Sequence, residues 1–116
     1  MKNLPERVFY FQNQLLLKHW QEPNGFKHKI IGDYYKDITK LFDKLIECYI
    51  SISKEITITE TAYIITNQID LTHTFYLDLK NFISDCRNEM LEQSLVNILD
   101  DISTIIEHYN YLLNKE

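Results

Sequence analysis

The sequence predicts an all-α protein, a bundle of four amphipathic helices with one long connection between the second and the third. Only two glycines and two prolines occur in 116 residues, and this scarcity of breakers favours long helices over a fold with many turns. Apolar residues recur at helical spacing in four separate segments. The length suits one domain, so we assign residues 1–116 to a single helical domain.

The first two helices are expected on either side of a tight turn. The first should cover about residues 5–21 and end before Pro23, because proline removes a backbone donor. Asn24 suits the N-cap of the second helix, which should cover about residues 25–50. This second helix has the longest apolar stripe, formed by Ile31, Tyr34, Tyr35, Ile38, Leu41, Phe42, Leu45, Ile46 and Tyr49.

The connection after the second helix is expected to be a crossover. Within residues 51–69, the run Ile56-Thr57-Ile58-Thr59 alternates like a strand, but a lone strand has nothing to pair with. We therefore predict an extended or partly helical crossover that lets the third helix lie parallel to the second. The third helix should start at an Asp70 cap and end near residue 90, and the fourth should cover about residues 93–114. This is the ferritin type of four-helix bundle.

Charge and hydropathy exclude several function classes. The net charge is −5 and no basic tail is present, so DNA binding is not expected. No apolar run approaches the ~20 residues of a membrane span. No secretory signal is visible, and Cys48 and Cys86 are isolated in apolar segments, so we expect reduced, buried thiols and a cytoplasmic location. The Ile-, Asn-, Lys- and Tyr-rich composition is typical of an AT-rich genome and leaves a phage origin open.

Four side chains that can bind a metal are spaced so that they cannot all reach one ion within a single subunit. Asp43 and Glu47 are four residues apart and share a helix face. His28 and Asp43 are fifteen apart, which is roughly 22 Å of helical rise, so one ion cannot touch both within one subunit. Two antiparallel copies could bring His28 of one subunit to the acids of the other. With His19, which flanks the same turn as His28, the sequence predicts a metal site shared across a two-fold dimer.

The donor types indicate which ions such a site would take. Imidazole and carboxylate together suit a borderline ion such as Fe(II), Mn(II) or Zn(II). Two imidazoles and two carboxylates leave coordination positions open for water or peroxide, which an oxidation requires. The sequence has no phosphate-binding glycine loop, nucleophile elbow or zinc knuckle.

Each of the four residues also has an ordinary structural interpretation. His19 could be a helix-end histidine that interacts with the helix dipole. Asp43 lies on a largely apolar stripe, where a ligand or buried-pair role is favoured over the alternative of a solvated acid, and Glu47 could form a surface pair with Lys44. His28 lies in the first turn of its helix, where a neutral imidazole is favoured over a charged one, and a neutral ring is also the form that binds a metal.

The order and spacing of these residues resemble the signature of the Dps proteins, the miniature ferritins named as DNA-binding proteins from starved cells. In that family a His-Trp pair closes the first helix and a second His opens the second helix, with an Asp and a Glu, four residues apart, farther along it. The family's gap of fifteen is matched by His28 to Asp43. The matching residues are His19-Trp20, Gly25-Phe26, His28, Tyr34-Tyr35, Leu41, Asp43 and Glu47.

The resemblance implies a homo-oligomer built from two-fold dimers, in the family a shell of twelve subunits. Such shells oxidise Fe(II), preferably with peroxide, and store the ferric product. Carried over to this chain, His19 and His28 would be ligands from one subunit. Asp43 and Glu47 would come from its partner, with Glu47 as the candidate bridge between two irons.

Four neighbouring positions complete the candidate site. Where the family usually has a carboxylate one turn after the second His, this chain has Gly32, and the adjacent Asp33 is a further candidate ligand. Trp20 and Tyr35 are expected beside the ligands or in the subunit interface. The eight tyrosines of the chain have two interpretations, as radical traps near an oxidising centre or as bundle packing.

A different class of function fits the same helices. The fold could serve as a non-catalytic helical oligomeric scaffold or binding module, for example a particle component or a small phage-type protein that sequesters a ligand between subunits. The short turn between the histidines and Gly32 favour this alternative. It predicts full assembly without metal and indifference to peroxide.

Overall fold

Four helices form most of the chain that the structure describes. The computed structural model describes residues 1–54 and 69–115. The helices are α1 (Leu4–Gln21), α2 (Gly25–Ser53), α3 (Thr74–Glu89) and α4 (Gln93–Asn114). The predicted all-α class and four-helix bundle are confirmed, and none of these four helices has the length and apolar character needed to cross a membrane.

The directions of the helices follow from contacts between their side chains. Tyr34 and Phe42 of α2 meet Phe75 and Phe82 of α3 in the same order, so α2 and α3 run parallel. The Tyr109 hydroxyl of α4 meets α2 at residue 37, whereas Ser94, at the start of α4, meets Cys48, so α4 runs antiparallel to α2. The three-residue turn 22–24 makes α1 antiparallel to α2 as well.

The parallel pair α2 and α3 requires a connection between opposite ends of the bundle. From residue 34, beside the start of α3, α2 continues for nineteen residues to its end, about 28 Å of rise. The second helix ends at Ser53, three residues later than expected, and residues 55–68, which make up most of the predicted crossover, lie outside the described part of the chain.

The start of α3 differs from the prediction. The Asp70 carboxylate accepts hydrogen bonds from the backbone N–H of Thr72 at 2.9 Å and from its hydroxyl at 2.8 Å. The side chain therefore closes a local turn before the helix and does not cap it, and α3 begins four residues later, at Thr74. An aspartate accepts from a nearby N–H in both arrangements, which is why the sequence did not separate them.

An aromatic cluster joins three of the helices in the core. Phe11 of α1 contacts both Phe75 and Phe82 of α3, with ring centroids 5.7 Å and 5.4 Å apart. Phe82 also meets Phe42 of α2 edge-on at 6.0 Å. All four side chains are buried, and such pairs stabilise a core beyond the area they remove from water.

Candidate metal centre

The turn between α1 and α2 brings the two predicted imidazole ligands together. His19 lies in the last turn of α1 and His28 in the first turn of α2. The Asn24 side chain caps α2 by accepting a hydrogen bond from the Lys27 backbone N–H at 3.0 Å. Because only three residues separate the helices, the two rings stack, with centroids 3.9 Å apart and planes 22° apart.

A hydrogen bond fixes the tautomer of His19. Its Nδ1 lies 2.9 Å from the backbone carbonyl oxygen of His28. A carbonyl oxygen only accepts, so we assign the proton to Nδ1, which donates. In a neutral ring this leaves the lone pair on Nε2. A histidine that donates from one ring nitrogen to a backbone carbonyl and keeps the other free is the usual arrangement of a metal ligand.

Gly32 provides the space in which the His19 ring lies. An ideal Cβ on Gly32 would lie 2.7 Å from Cε1 of His19 and 2.9 Å from its Nδ1, closer than such contacts occur. Gly32 has no side chain at this position, and the His19 imidazole occupies the space that one would take. This role of Gly32 was not predicted from the sequence, although a glycine inside a long helix is itself a signal of close approach.

A surface cavity of about 470 Å³ borders the histidine pair. Trp20, whose side chain is 69% exposed, and the partly buried Tyr35 line it together with the two histidines. Asp33 also lines the cavity, but its carboxylate forms an ion pair with Lys29, one turn earlier on α2, at 3.0 Å. Asp33 would therefore have to exchange this partner in order to bind a metal.

Asp43 and Glu47 lie on the exposed surface of α2, far from the histidines of their own chain. They follow His28 by fifteen and nineteen residues, about 22 Å and 28 Å of helical rise. The alternative that Asp43 forms a buried pair is wrong, because its side chain is exposed. In the described ranges, no three His, Cys, Asp or Glu side chains of one chain come together as a metal-holding group.

His28, Asp43 and Glu47 nevertheless share one side of α2. At 100° per residue, Asp43 and Glu47 are rotated from His28 by about 60° and 100° around the helix axis. The buried residues Ile38 and Phe42 lie on the other side of His28. One α2 surface therefore carries an imidazole near its start and two carboxylates near its end, and the metal site shared between subunits remains a prediction.

The two cysteines differ in their surroundings. Both are free thiols, as expected. Cys86 is buried in the core, and this burial raises the pKa of its thiol to about 12. Cys48 is only partly buried and lies 3.6 Å from the Ser94 hydroxyl, so the prediction of two buried thiols is wrong for Cys48.

These features define a four-helix bundle with a stacked histidine pair at the turn between its first two helices. Residues 19–113 match a family of unknown function, DUF5856. Since the match covers most of the chain and includes both histidines, the protein belongs to this family. No curated protein and no solved structure matches the chain.

Proposed function

We propose that the protein is a reduced, Dps-like iron-binding protein that holds and oxidises Fe(II) at a site shared by two subunits. His19 and His28 of one subunit and Asp43 and Glu47 of its two-fold partner are the proposed ligands. The observation that carries the proposal is the position of His19 over Gly32. Nδ1 of His19 donates a hydrogen bond to a backbone carbonyl, and the lone pair of Nε2 is therefore the one that would bind the metal.

The order of His28 and the two acids along α2 suits an antiparallel pair of these helices. His28 lies near the start of α2 and Asp43 and Glu47 lie in its second half, so a two-fold operation places the imidazole of one subunit against the acids of the other. The axis would cross α2 near Lys36, which is exposed. The two copies of Lys36 repel each other and oppose the pairing unless their long side chains turn outward.

The reaction proposed for this site consumes iron as its substrate. Two Fe(II) and one hydrogen peroxide, with two protons, give two Fe(III) and two waters. The four donors keep positions open for peroxide, and a borderline ion such as Mn(II) or Zn(II) would compete for them. The two free cysteines fit the reducing cytoplasm, which is the location proposed here.

Anaerobic Fe(II) titration tests the binding site. His28→Ala and Asp43→Ala should each abolish tight binding. His73→Ala and Asp101→Ala, which change exposed residues of the same types elsewhere, should bind as the wild type does. Equal binding by all four variants would contradict the proposed ligands.

Subunit mixing tests whether the site is shared. A variant lacking both histidines and a variant lacking both acids should each fail to bind Fe(II). After unfolding and joint refolding, mixed dimers contain one intact site, so random pairing should restore about a quarter of the wild-type sites. If mixing restores no binding, the ligands do not come from two subunits.

A second candidate is the non-catalytic scaffold or binding module. Trp20, Phe26 and Leu91 are 69%, 65% and 80% exposed, and they are the kind of apolar side chain that contacts between subunits would cover. A scaffold should reach its full oligomeric size without metal and should not change on addition of peroxide. Light scattering on the metal-free protein, before and after Fe(II) and peroxide, separates the two candidates.

A further inference from the structure

Tyr109 of α4 is a core residue that is not among the proposed iron ligands, and its hydroxyl is bonded to an acidic side chain. The side chain is only 5% exposed, and its hydroxyl donates a hydrogen bond of 2.5 Å to Oδ2 of Asp37 on α2. Asp37 itself is exposed, so its carboxylate can exchange protons with water. A buried phenol thus has one short path along which its proton can leave.

A second tyrosine ring lies against the first. Tyr34 of α2 is 2% exposed and stacks on Tyr109 with ring centroids 4.7 Å apart and planes 7° apart. Burial raises the pKa of both phenols well above the usual value, and for Tyr109 the hydrogen bond to Asp37 adds to this. Both rings therefore stay protonated at neutral pH.

We propose that Tyr109 and Asp37 form a one-electron oxidation site that removes oxidising radicals. Loss of an electron makes a phenol strongly acidic, so a buried tyrosine is oxidised readily only when a base is in hydrogen-bond reach. Hydroxyl radical takes the electron and becomes hydroxide. The Tyr109 O–H bond breaks, its proton moves to the Asp37 carboxylate, and a neutral tyrosyl radical remains.

The surroundings of Tyr109 favour removal of an electron from its ring. The carboxylates of Asp33 and Asp37 lie close enough to act on the phenol electrostatically, and negative charge stabilises an electron-poor ring. The parallel ring of Tyr34 lets the missing electron be shared over two π systems. An electron from a further Fe(II), with the proton held by Asp37, would restore the phenol.

The pair lies between the two proposed iron sites of a dimer, to which one chain contributes His28 at one site and Asp43 at the other. Asp37 follows His28 by nine residues and precedes Asp43 by six, about 14 Å and 9 Å of rise along α2. Radicals form where peroxide meets single Fe(II) ions, so a site at this position would intercept them. The inference rests on the proposed function only for this source of the oxidant, and its test uses no iron.

Pulse radiolysis in azide solution provides a suitable oxidant, because the azide radical removes one electron and becomes azide ion. The protein carries Trp20→Phe, so that the exposed indole does not compete. The yield and lifetime of tyrosyl radical are recorded by absorption and, after freezing, by electron paramagnetic resonance. Tyr109→Phe keeps the stacked ring but removes the proton, and Asp37→Asn keeps an acceptor that cannot take the proton.

The expected result is a long-lived tyrosyl radical that Tyr109→Phe abolishes. Asp37→Asn should slow its formation about 100-fold, at the lower end of what a positioned base contributes. Tyr111→Phe, on the same helix but 63% exposed, should form the radical normally. A long-lived radical that persists in Tyr109→Phe, or normal formation in Asp37→Asn, would overturn the inference and leave the pair as a link between two helices.

Discussion

The Cα of Gly32 lies so close to the imidazole of His19 that a side chain at position 32 and the observed ring cannot coexist. The ring atom Cε1 would be 2.7 Å from a Cβ at this position. The missing side chain leaves room for the ring between the last turn of α1 and α2, and the hydrogen bond from Nδ1 to the His28 carbonyl leaves Nε2 as the free nitrogen.

Gly32→Ala should therefore displace the His19 ring and weaken Fe(II) binding. The gain in helix propensity, about 1 kcal/mol, offsets part of the clash, so the free energy of unfolding should change little. Nitrogen NMR shifts of the His19 ring should report loss of the hydrogen bond to His28. Gly25→Ala is the matched control, because its Cβ would meet nothing within 4 Å. An unchanged His19 ring in Gly32→Ala would show that Gly32 does not hold it.

Phe82 should be among the most important core residues for stability. It is fully buried and contacts Phe11 and Phe42 from two other helices. Phe82→Ala should lower the free energy of unfolding by about 3–5 kcal/mol. Phe9→Ala, which removes a ring that is 53% exposed, should change it by less than about 0.5 kcal/mol. Urea unfolding measures both, and similar losses would mean that the core is misassigned.

The fold should lose stability in alkaline solution because of Tyr34. Burial raises its pKa above the value of 10.0 that it has in the unfolded chain. The neutral phenol is thus favoured in the folded state, and its full contribution is present below pH 10. As the pH rises above 10, each unit should cost about 1.4 kcal/mol for this group. Tyr34→Phe should flatten the alkaline part of the stability profile, whereas the exposed Tyr111→Phe should not.

Cys48 and Cys86 should react very differently with thiol reagents. The Cys86 thiol is buried and its pKa is raised to about 12, so little thiolate forms and reagents cannot reach it. We expect Cys48 to react in the folded protein and Cys86 only through unfolding, at least about 1,000-fold more slowly. Labelling followed by peptide mass spectrometry distinguishes the two. Equal rates under native conditions would contradict the burial of Cys86.

The helices were predictable because their signals are local. An apolar stripe with a period of 3.6 residues predicts where α2 and α4 lie in the sequence, and this prediction needs no knowledge of the helices that pack against them. The Asp70 error shows the limit of local signals, since a turn and a helix cap use the same carboxylate in similar ways. The proximity of His19 and His28 could also be predicted from the sequence, because one short turn connects the helices that carry them.

The sequence by itself determined four helices, their faces, and the fact that His28 and Asp43 are too far apart for one ion. These properties depend on residue spacing along a helix of fixed rise. Only the tertiary structure decided that Gly32 accommodates His19 and that Tyr109 reaches Asp37 across 72 residues. Such contacts depend on how each helix is rotated against its neighbours, and that rotation is set by the packing of the whole core.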